Sequence, residues 1–227
     1  MKDREKKDNR AVHLIAHSYP MMPITEQYRQ IRSNILFTSA DKGIKSIIIT
    51  SPEPKEGKST TAANLSIVLA QQGKRVLLVD ADLRKPSVHL DFKVSNVEGL
   101  TNILTYKIRL EEAITDTYIP NLHLLTSGPL PPNPSELLNS ETMDILMQEL
   151  KEKYEFIIFD SPPILAVTDP QILANKCDGV VMVVSSGKTR KDKAIKAKEL
   201  LEKAKSHFLG VVVNGVEEKS SDYYSQY

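Results

Sequence analysis

Lys58 and Ser59 stand directly behind Gly57 in the run Thr50-Ser-Pro-Glu-Pro-Lys-Glu-Gly57-Lys-Ser-Thr60. A glycine, an ammonium and a hydroxyl in that order, where a strand turns into a helix, make a place for phosphate. The apolar residues Ile47 to Ile49 supply the strand. Gly57 lets the backbone come close to an anion, and the first amides of the following helix point at it. Lys58 brings a full positive charge to the β and γ oxygens of a nucleoside triphosphate, and the Ser59 hydroxyl is placed to complete a magnesium shell. Lys55, Glu56 and Thr60 belong to the same candidate loop. The usual pattern G-x-x-x-x-G-K-[ST] is broken only at its first glycine, which is Pro52.

Two acidic motifs follow at the ends of apolar runs. Arg75-Val-Leu-Leu-Val-Asp80-Ala-Asp82-Leu-Arg84-Lys-Pro86 carries two carboxylates spaced i, i+2, which project from one side of an extended segment. Phe156-Ile-Ile-Phe-Asp160-Ser-Pro-Pro163 ends on a single carboxylate, in the manner of a Walker B strand. In an open parallel sheet the residues just past the carboxyl ends of neighbouring strands converge on one crevice. The loop, the Asp80 and Asp82 pair and Asp160 are therefore expected to share a site. Three carboxylates beside a triphosphate imply Mg²⁺, which prefers hard oxygen ligands.

These groups need a sheet with helices on both faces, and the chain is long enough for one. Its 227 residues, 41% of them hydrophobic, suffice for a single α/β core. A helix from Thr25 to about Phe37 precedes strand 45–50, the loop and a helix ending near Gly73. Strand 75–80 leads into a long irregular stretch, a short helix near Leu110 to Thr115 and strand Leu122 to Thr126. Ser127-Gly-Pro-Leu-Pro-Pro-Asn-Pro134 is neither helix nor central strand, so it is a rigid loop. A helix over 140–153, strands 155–160 and 179–185, a helix from Thr189 to about Lys205 and strand Leu209 to Asn214 complete the alternation. The fold class this predicts is α/β, a doubly wound and mostly parallel sheet. The divisions expected are a basic N-terminal extension over 1–22, the main domain over 23–214 and a tyrosine-rich tail over 215–227.

The formal net charge of +1 argues against a dedicated nucleic-acid binder. Cys177 is the only cysteine, which leaves no disulfide framework and suits a reducing cytoplasm. Met1 to Arg10 mixes basic and acidic residues with no long apolar stretch behind it, so it is neither a signal peptide nor a membrane span. Any membrane association is expected to come through a partner. The helix from Thr189 carries a run of lysines that reads as a solvated face, or as a surface for an acidic partner or anionic membrane.

The ends of the chain carry two further signals. Tyr223, Tyr224 and Tyr227 fall within the last five residues, three of the eight tyrosines in the chain. Tyrosines on a polar tail are accessible phosphoryl acceptors beside a triphosphate site, or else contacts for a partner surface. Glu26, Arg29 and Arg32 recur at threefold spacing along one drifting face of the first helix. They form local i, i+3 pairs, or they reach the carboxylates of a neighbouring subunit.

Taken together, the set from Glu26 to the terminal tyrosines resembles the bacterial tyrosine kinases of capsule and exopolysaccharide systems, in the cytoplasmic form found in Gram-positive bacteria. Its carriers are the E-x-x-R-x-x-R helix, Glu56 to Thr60, Asp80 to Pro86, Ser127 to Leu138, Asp160 to Pro163 and the tail. The resemblance covers about Pro23 to Tyr227, and the fold it implies is a P-loop NTPase of the ParA and MinD-like type. It implies an ATP- and Mg²⁺-dependent kinase that phosphorylates the tail of a neighbouring subunit within a ring. In that picture Lys58 contacts the phosphates, Ser59 and Asp82 help hold Mg²⁺, Asp160 orients the metal through water, and Asp80 is the candidate base. Asn214 falls where related ATPases contact adenine. The resemblance further implies a transmembrane activator that recruits the kinase to the inner face of the membrane, protein-tyrosine substrates and a cognate tyrosine phosphatase. Lys55 replaces the usual glycine, so a positive φ there would cost about 1 kcal/mol, while its ammonium would attract phosphate. Two alternatives stand beside the kinase. One is a ParA or MinD-like ATPase switch, although its signature lysine is here Glu53; the other is a scaffold that binds nucleotide only to assemble.

Overall fold

The computed structural model describes residues 14–39, 43–204 and 207–216. Its seven strands are β1 (Ser46–Thr50), β2 (Val76–Asp80), β3 (Ile114–Asp116), β4 (Leu122–Leu125), β5 (Phe156–Asp160), β6 (Gly179–Ser185) and β7 (His207–Asn214). They form one sheet in the order β3-β4-β2-β5-β1-β6-β7, parallel throughout except for β3, which runs antiparallel to β4.

The three central strands are buried along their whole length, as near-continuous Val, Ile, Leu and Phe require when both faces are covered. Their side chains alternate between two cores. Ile48, Leu77, Val79, Ile157 and Phe159 pack on one face. Ile47, Ile49, Val76, Leu78 and Ile158 pack on the other. The second face is covered by α1 (Ile15–Ser18), α2 (Pro23–Ser39), α3 (Lys58–Ala70) and α4 (Val88–Phe92). The first is covered by α5 (Leu100–Leu104), α6 (Leu110–Ala113), α7 (Pro134–Leu138), α8 (Glu141–Lys153), α9 (Asp169–Lys176) and α10 (Lys191–Glu202).

The doubly wound architecture is as the sequence predicts, with several local differences. Helix α2 begins at Pro23 rather than Thr25, because proline suits the first turn, where its missing N–H is no loss. Thr25 donates instead to the carbonyl of Tyr19 at 2.7 Å. The stretch expected to be irregular contains α4 and α5, and α7 and α9 were not foreseen. The helix near Leu110 stops at Ala113, and its last two expected residues belong to β3. Packing also begins before Pro23: Leu14 and Ala16 are buried, and Asn64 on α3 accepts the Ala16 amide at 2.8 Å. The packed body thus includes part of the stretch assigned to the extension.

Both arginines of α2 are engaged within the chain. Arg29 donates to Glu26 at 2.9 Å, one turn away, and to the carbonyl of Pro20 at 2.9 Å. Arg32 donates to the carbonyl of Val68 at 2.7 Å, one of the last four carbonyls of α3, which have no partner inside their helix. Arg32→Ala is therefore expected to lower stability by about 1–3 kcal/mol, since it strands that carbonyl. Arg29→Ala removes an exposed pair and should cost less than about 1 kcal/mol. Urea denaturation of the two variants measures the difference, and equal losses would contradict it.

Candidate active site

The loop between β1 and α3 reaches its helix through two residues of left-handed backbone. Gly57 has φ +92°, and a Cβ added there would lie 2.0 Å from Nδ2 of Asn214, so glycine is required twice over. Lys55 has φ +65°, a conformation that costs a side-chain-bearing residue about 1 kcal/mol or more. The positive φ anticipated at this non-glycine position is present. Asn214, the last residue of β7, donates to the carbonyl of Glu56 at 3.2 Å and holds the edge strand over the loop.

Glu56 does something other than face a ligand. It is buried, one carboxylate oxygen accepts the Glu53 amide at 2.8 Å, and the other accepts the Thr189 hydroxyl. Thr189 in turn accepts the Ser185 amide at 2.7 Å. The Glu56 side chain thus ties the loop to the end of β6, and only its backbone is left to offer to phosphate. Glu53 is paired with Lys193.

Lys55, Gly57, Lys58, Ser59, Thr60 and Asn214 line one cavity of about 580 Å³. Ser87, Leu90 and Asp91 close it from the segment after β2. At the carboxyl ends of the strands, β2 and β5 are in register with Asp80 beside Asp160. Lys58 reaches across them: its Nζ lies 3.4 Å from Asp82 Oδ2, 3.6 Å from Asp160 Oδ1 and 3.2 Å from Ser59 Oγ. Burial pulls the Lys58 ammonium down, but Asp160, Asp82 and Asp80 outweigh it and hold the group above its ordinary value. Lys58 is charged whenever the site works.

The carboxylates are not equivalent. Asp80 accepts the Ser87 and Val88 amides on one oxygen, at 3.0 Å each, and the Asp82 amide on the other at 3.3 Å. Burial first, and then the charge of Asp160, push it up to about 7 against the opposing pull of those amides. Asp82 Oδ1 accepts the amides of Arg84 at 3.3 Å and Lys85 at 3.0 Å, and its other oxygen faces Lys58. Asp160 is fully buried; its Oδ1 faces the Lys58 ammonium at 3.6 Å, and neither oxygen accepts a hydrogen bond of ordinary length. Burial raises it, with Lys58 as the main opposing influence.

A buried carboxylate whose one close partner is an ammonium at 3.6 Å suits a further cation, and Asp82 and Ser59 add hard oxygens beside it. Among the described residues no three His, Cys, Asp or Glu side chains form a metal cage of their own. Mg²⁺ is held by one or two carboxylates together with substrate phosphate and water. The donor set fits the ion that the sequence implies.

The structure thus gathers Lys58, Ser59, Asp80, Asp82 and Asp160 at one corner and Lys55, Thr60 and Asn214 around the adjoining cavity. Glu26, Arg29 and Arg32 are not part of its lining. Tyr223, Tyr224 and Tyr227 lie outside the described residues. Sequence reasoning missed the Ser87 and Val88 amides, because α4 is too short to show a period. It also missed Thr189, whose partner is remote in the chain.

With this geometry in place, known proteins supply the class. Residues 44–204 match the family described as AAA domain. Tyrosine-protein kinase YwqD of Bacillus subtilis (strain 168) is 53% identical over 215 residues, covering 95% of this chain and 91% of its own. The chain belongs to the bacterial tyrosine-protein kinases. The kinase domain of the Escherichia coli tyrosine kinase ETK superposes with a TM-score of 0.88 at 31% identity, over 93% of this chain and 83% of that domain. The septum site-determining protein MinD of Pyrococcus horikoshii OT3, complexed with Mg-ADP, superposes with a TM-score of 0.66 at 27% identity, over 77% and 72% of the two chains. This kinase therefore has the P-loop nucleotide-binding fold.

The raised Asp80 makes a pH prediction. A carboxyl near 7 in the folded protein keeps a proton that the unfolded chain releases near 4, so stability falls as pH rises through that interval. Asp80→Asn cannot ionise. Relative to the wild type it should fare better at pH 8 than at pH 4, on top of a pH-independent cost for placing an amide NH₂ where Asp80 accepts backbone N–H groups on both oxygens. Melting temperatures at the two pH values check this; a difference that does not grow with pH would overturn it.

Proposed function

We propose that this kinase transfers the γ-phosphoryl group of ATP, in trans, to Tyr223, Tyr224 and Tyr227 of a neighbouring copy, and through that regulates capsular or exopolysaccharide synthesis. The observation that carries the reading is the buried corner where a phosphate-loop lysine pairs with Asp82 and Asp160 beside Asp80. Lys58 and the loop amides bind and orient the phosphates, and Lys55 adds a second ammonium at the rim. Ser59, Asp82 and Asp160 would hold Mg²⁺, which when bound neutralises charge on the β and γ oxygens. Asp80 takes the tyrosine proton. A carboxylate offers about four acceptor positions and three are taken by amides, so one remains, on a group poised near neutral pH. Thr60 and Asn214 complete the nucleotide wall.

The assembly part of the reading is a homo-oligomeric ring paired through Glu26, Arg29 and Arg32. Arg32 supports it in one respect, because its Nε is buried with no partner among the described residues. A transmembrane activator, external protein-tyrosine substrates and a cognate phosphatase complete the reading by family analogy. Among the described residues no helix is long and apolar enough to cross a membrane, and in this reading the activator brings the kinase to the inner membrane face. The likeness to MinD favours the alternative of an ATPase switch, and the pairing of Glu53 with Lys193 at the signature position weighs against it.

Mixing a Lys58→Met chain with intact tyrosines and an active chain whose three tail tyrosines are Phe tests the transfer. Phosphotyrosine mapped by mass spectrometry to the inactive chain is expected. An active wild type with no phosphate on any of the three would leave the ATPase switch ahead. For assembly, Arg29→Ala is the cleaner variant, because Arg32 also serves the fold. Light scattering should show a lower mass than wild type at matched concentration, and an unchanged mass would reduce the pair to local helix stabilisation.

A further inference from the structure

Asp169 is the first residue of α9 and has no exposed surface. Its Oδ2 accepts Arg84 Nε at 2.8 Å, and its Oδ1 accepts Arg84 Nη2 at 3.0 Å and Ser135 Oγ at 2.6 Å. Arg84 Nη2 also donates to Ser135 Oγ at 3.1 Å. A two-pronged arginine–carboxylate pair fixes direction as well as distance. Here it joins three separate segments: the loop after β2, helix α7 behind the proline-rich loop, and helix α9.

The same loop orients Asp82. The amides of Arg84 and of the next residue, Lys85, both donate to Asp82 Oδ1, which leaves Oδ2 turned towards Lys58. Holding the Arg84 side chain therefore holds the peptide that aims the carboxylate. A tie between α7 and α9 alone would not need charge, since an apolar contact of similar volume often serves stability as well as a buried ion pair. Burial works against the Asp169 charge, but the Arg84 and Ser135 hydrogen bonds outweigh it and hold the carboxyl below the usual range, so the anion persists at neutral pH.

We propose that Asp169, acting through Arg84, is a positioning residue that sets the Asp82 carboxylate for Mg²⁺ in the nucleotide complex. This rests on the assignment of Asp82 to the metal. Neither Asp169 nor Ser135 lines the nucleotide cavity, so their influence runs through the loop of residues 82–85.

The experiment is calorimetric titration of ADP into the full chain, with Mg²⁺ and separately with a chelator, which gives the factor by which Mg²⁺ tightens binding. Removing an outer-shell partner of a metal ligand typically costs 10–100-fold in metal affinity. Asp169 stands one residue behind such a partner, so Asp169→Asn should reduce the Mg²⁺ factor by up to about tenfold, with little change in ADP affinity under chelator. Ser135→Ala should move it the same way by less. An unchanged factor in Asp169→Asn, with only a lower melting temperature, would overturn the proposal and leave a structural tie. Asp82→Asn separates the two layers. If it abolishes the factor while Asp169→Asn keeps it, only the clamp fails; if Asp82→Asn keeps the factor, the metal assignment fails and the clamp falls with it. Should Asp169→Asn not fold, Arg84→Lys retains the charge but loses the fork, and the same factor read on it decides.

Discussion

A single ammonium, that of Lys58, holds together a corner of the sheet that three carboxylates would otherwise push apart. The register of β2 against β5 leaves no choice about the crowding, because it sets Asp80 directly beside Asp160. Asp82 follows two residues on and faces the same side. Buried charge at such separations is costly unless it is neutralised, and Lys58 neutralises only part of it. Protonation relieves another part: burial first, and then the charge of Asp160, push Asp80 up to about 7. What remains is Asp160, which accepts no hydrogen bond of ordinary length and meets Lys58 only at 3.6 Å. In the proposed function a divalent cation brought in with a polyphosphate balances the charge that Lys58 leaves over.

Such a site works only if the loop around it does not yield. Its bracing comes from both sides of the sheet's carboxyl edge. Glu56 turns inward and reaches Thr189 beyond β6, Asn214 at the end of β7 holds the Glu56 carbonyl, and Ser51 Oγ closes on the carbonyl of Glu53 at 2.7 Å. Donors fixed before a ligand arrives need no reorganisation when charge develops, which is where preorganised sites gain most. The left-handed backbone at Lys55 is the strain that this rigid path carries. Across the crevice, the Arg84, Asp169 and Ser135 cluster does for the acidic side what Glu56 and Asn214 do for the phosphate loop.

Much of this was legible in the residue order. Apolar runs of five residues announce buried strands, and the carboxylates at their ends are placed by the pleat and by the parallel sheet. Glycine, lysine and serine at the start of a helix are read locally, because the chemistry of phosphate binding resides in consecutive backbone amides. Those features need only neighbours in sequence, and they carried the fold class, the phosphate loop, the acidic corner and the family resemblance.

What the sequence could not carry is every role decided by contact between distant segments. Helices α4, α5 and α7, of five residues each, and α9, of eight, are too short to show a hydrophobic period, so their amides and carboxylates stayed invisible. Glu56 looked like part of a ligand surface until Thr189, 133 residues away, took its side chain. Arg32 looked like one member of an exposed stripe until the carbonyl of Val68, 36 residues away, claimed it. Arg84 finds Asp169 across 85 residues. Residue type and spacing determine which groups can bind phosphate and metal, because that chemistry is local. Which polar group becomes a ligand and which becomes a brace is decided by tertiary packing, because burial forces each one to find a partner wherever the fold brings one within reach.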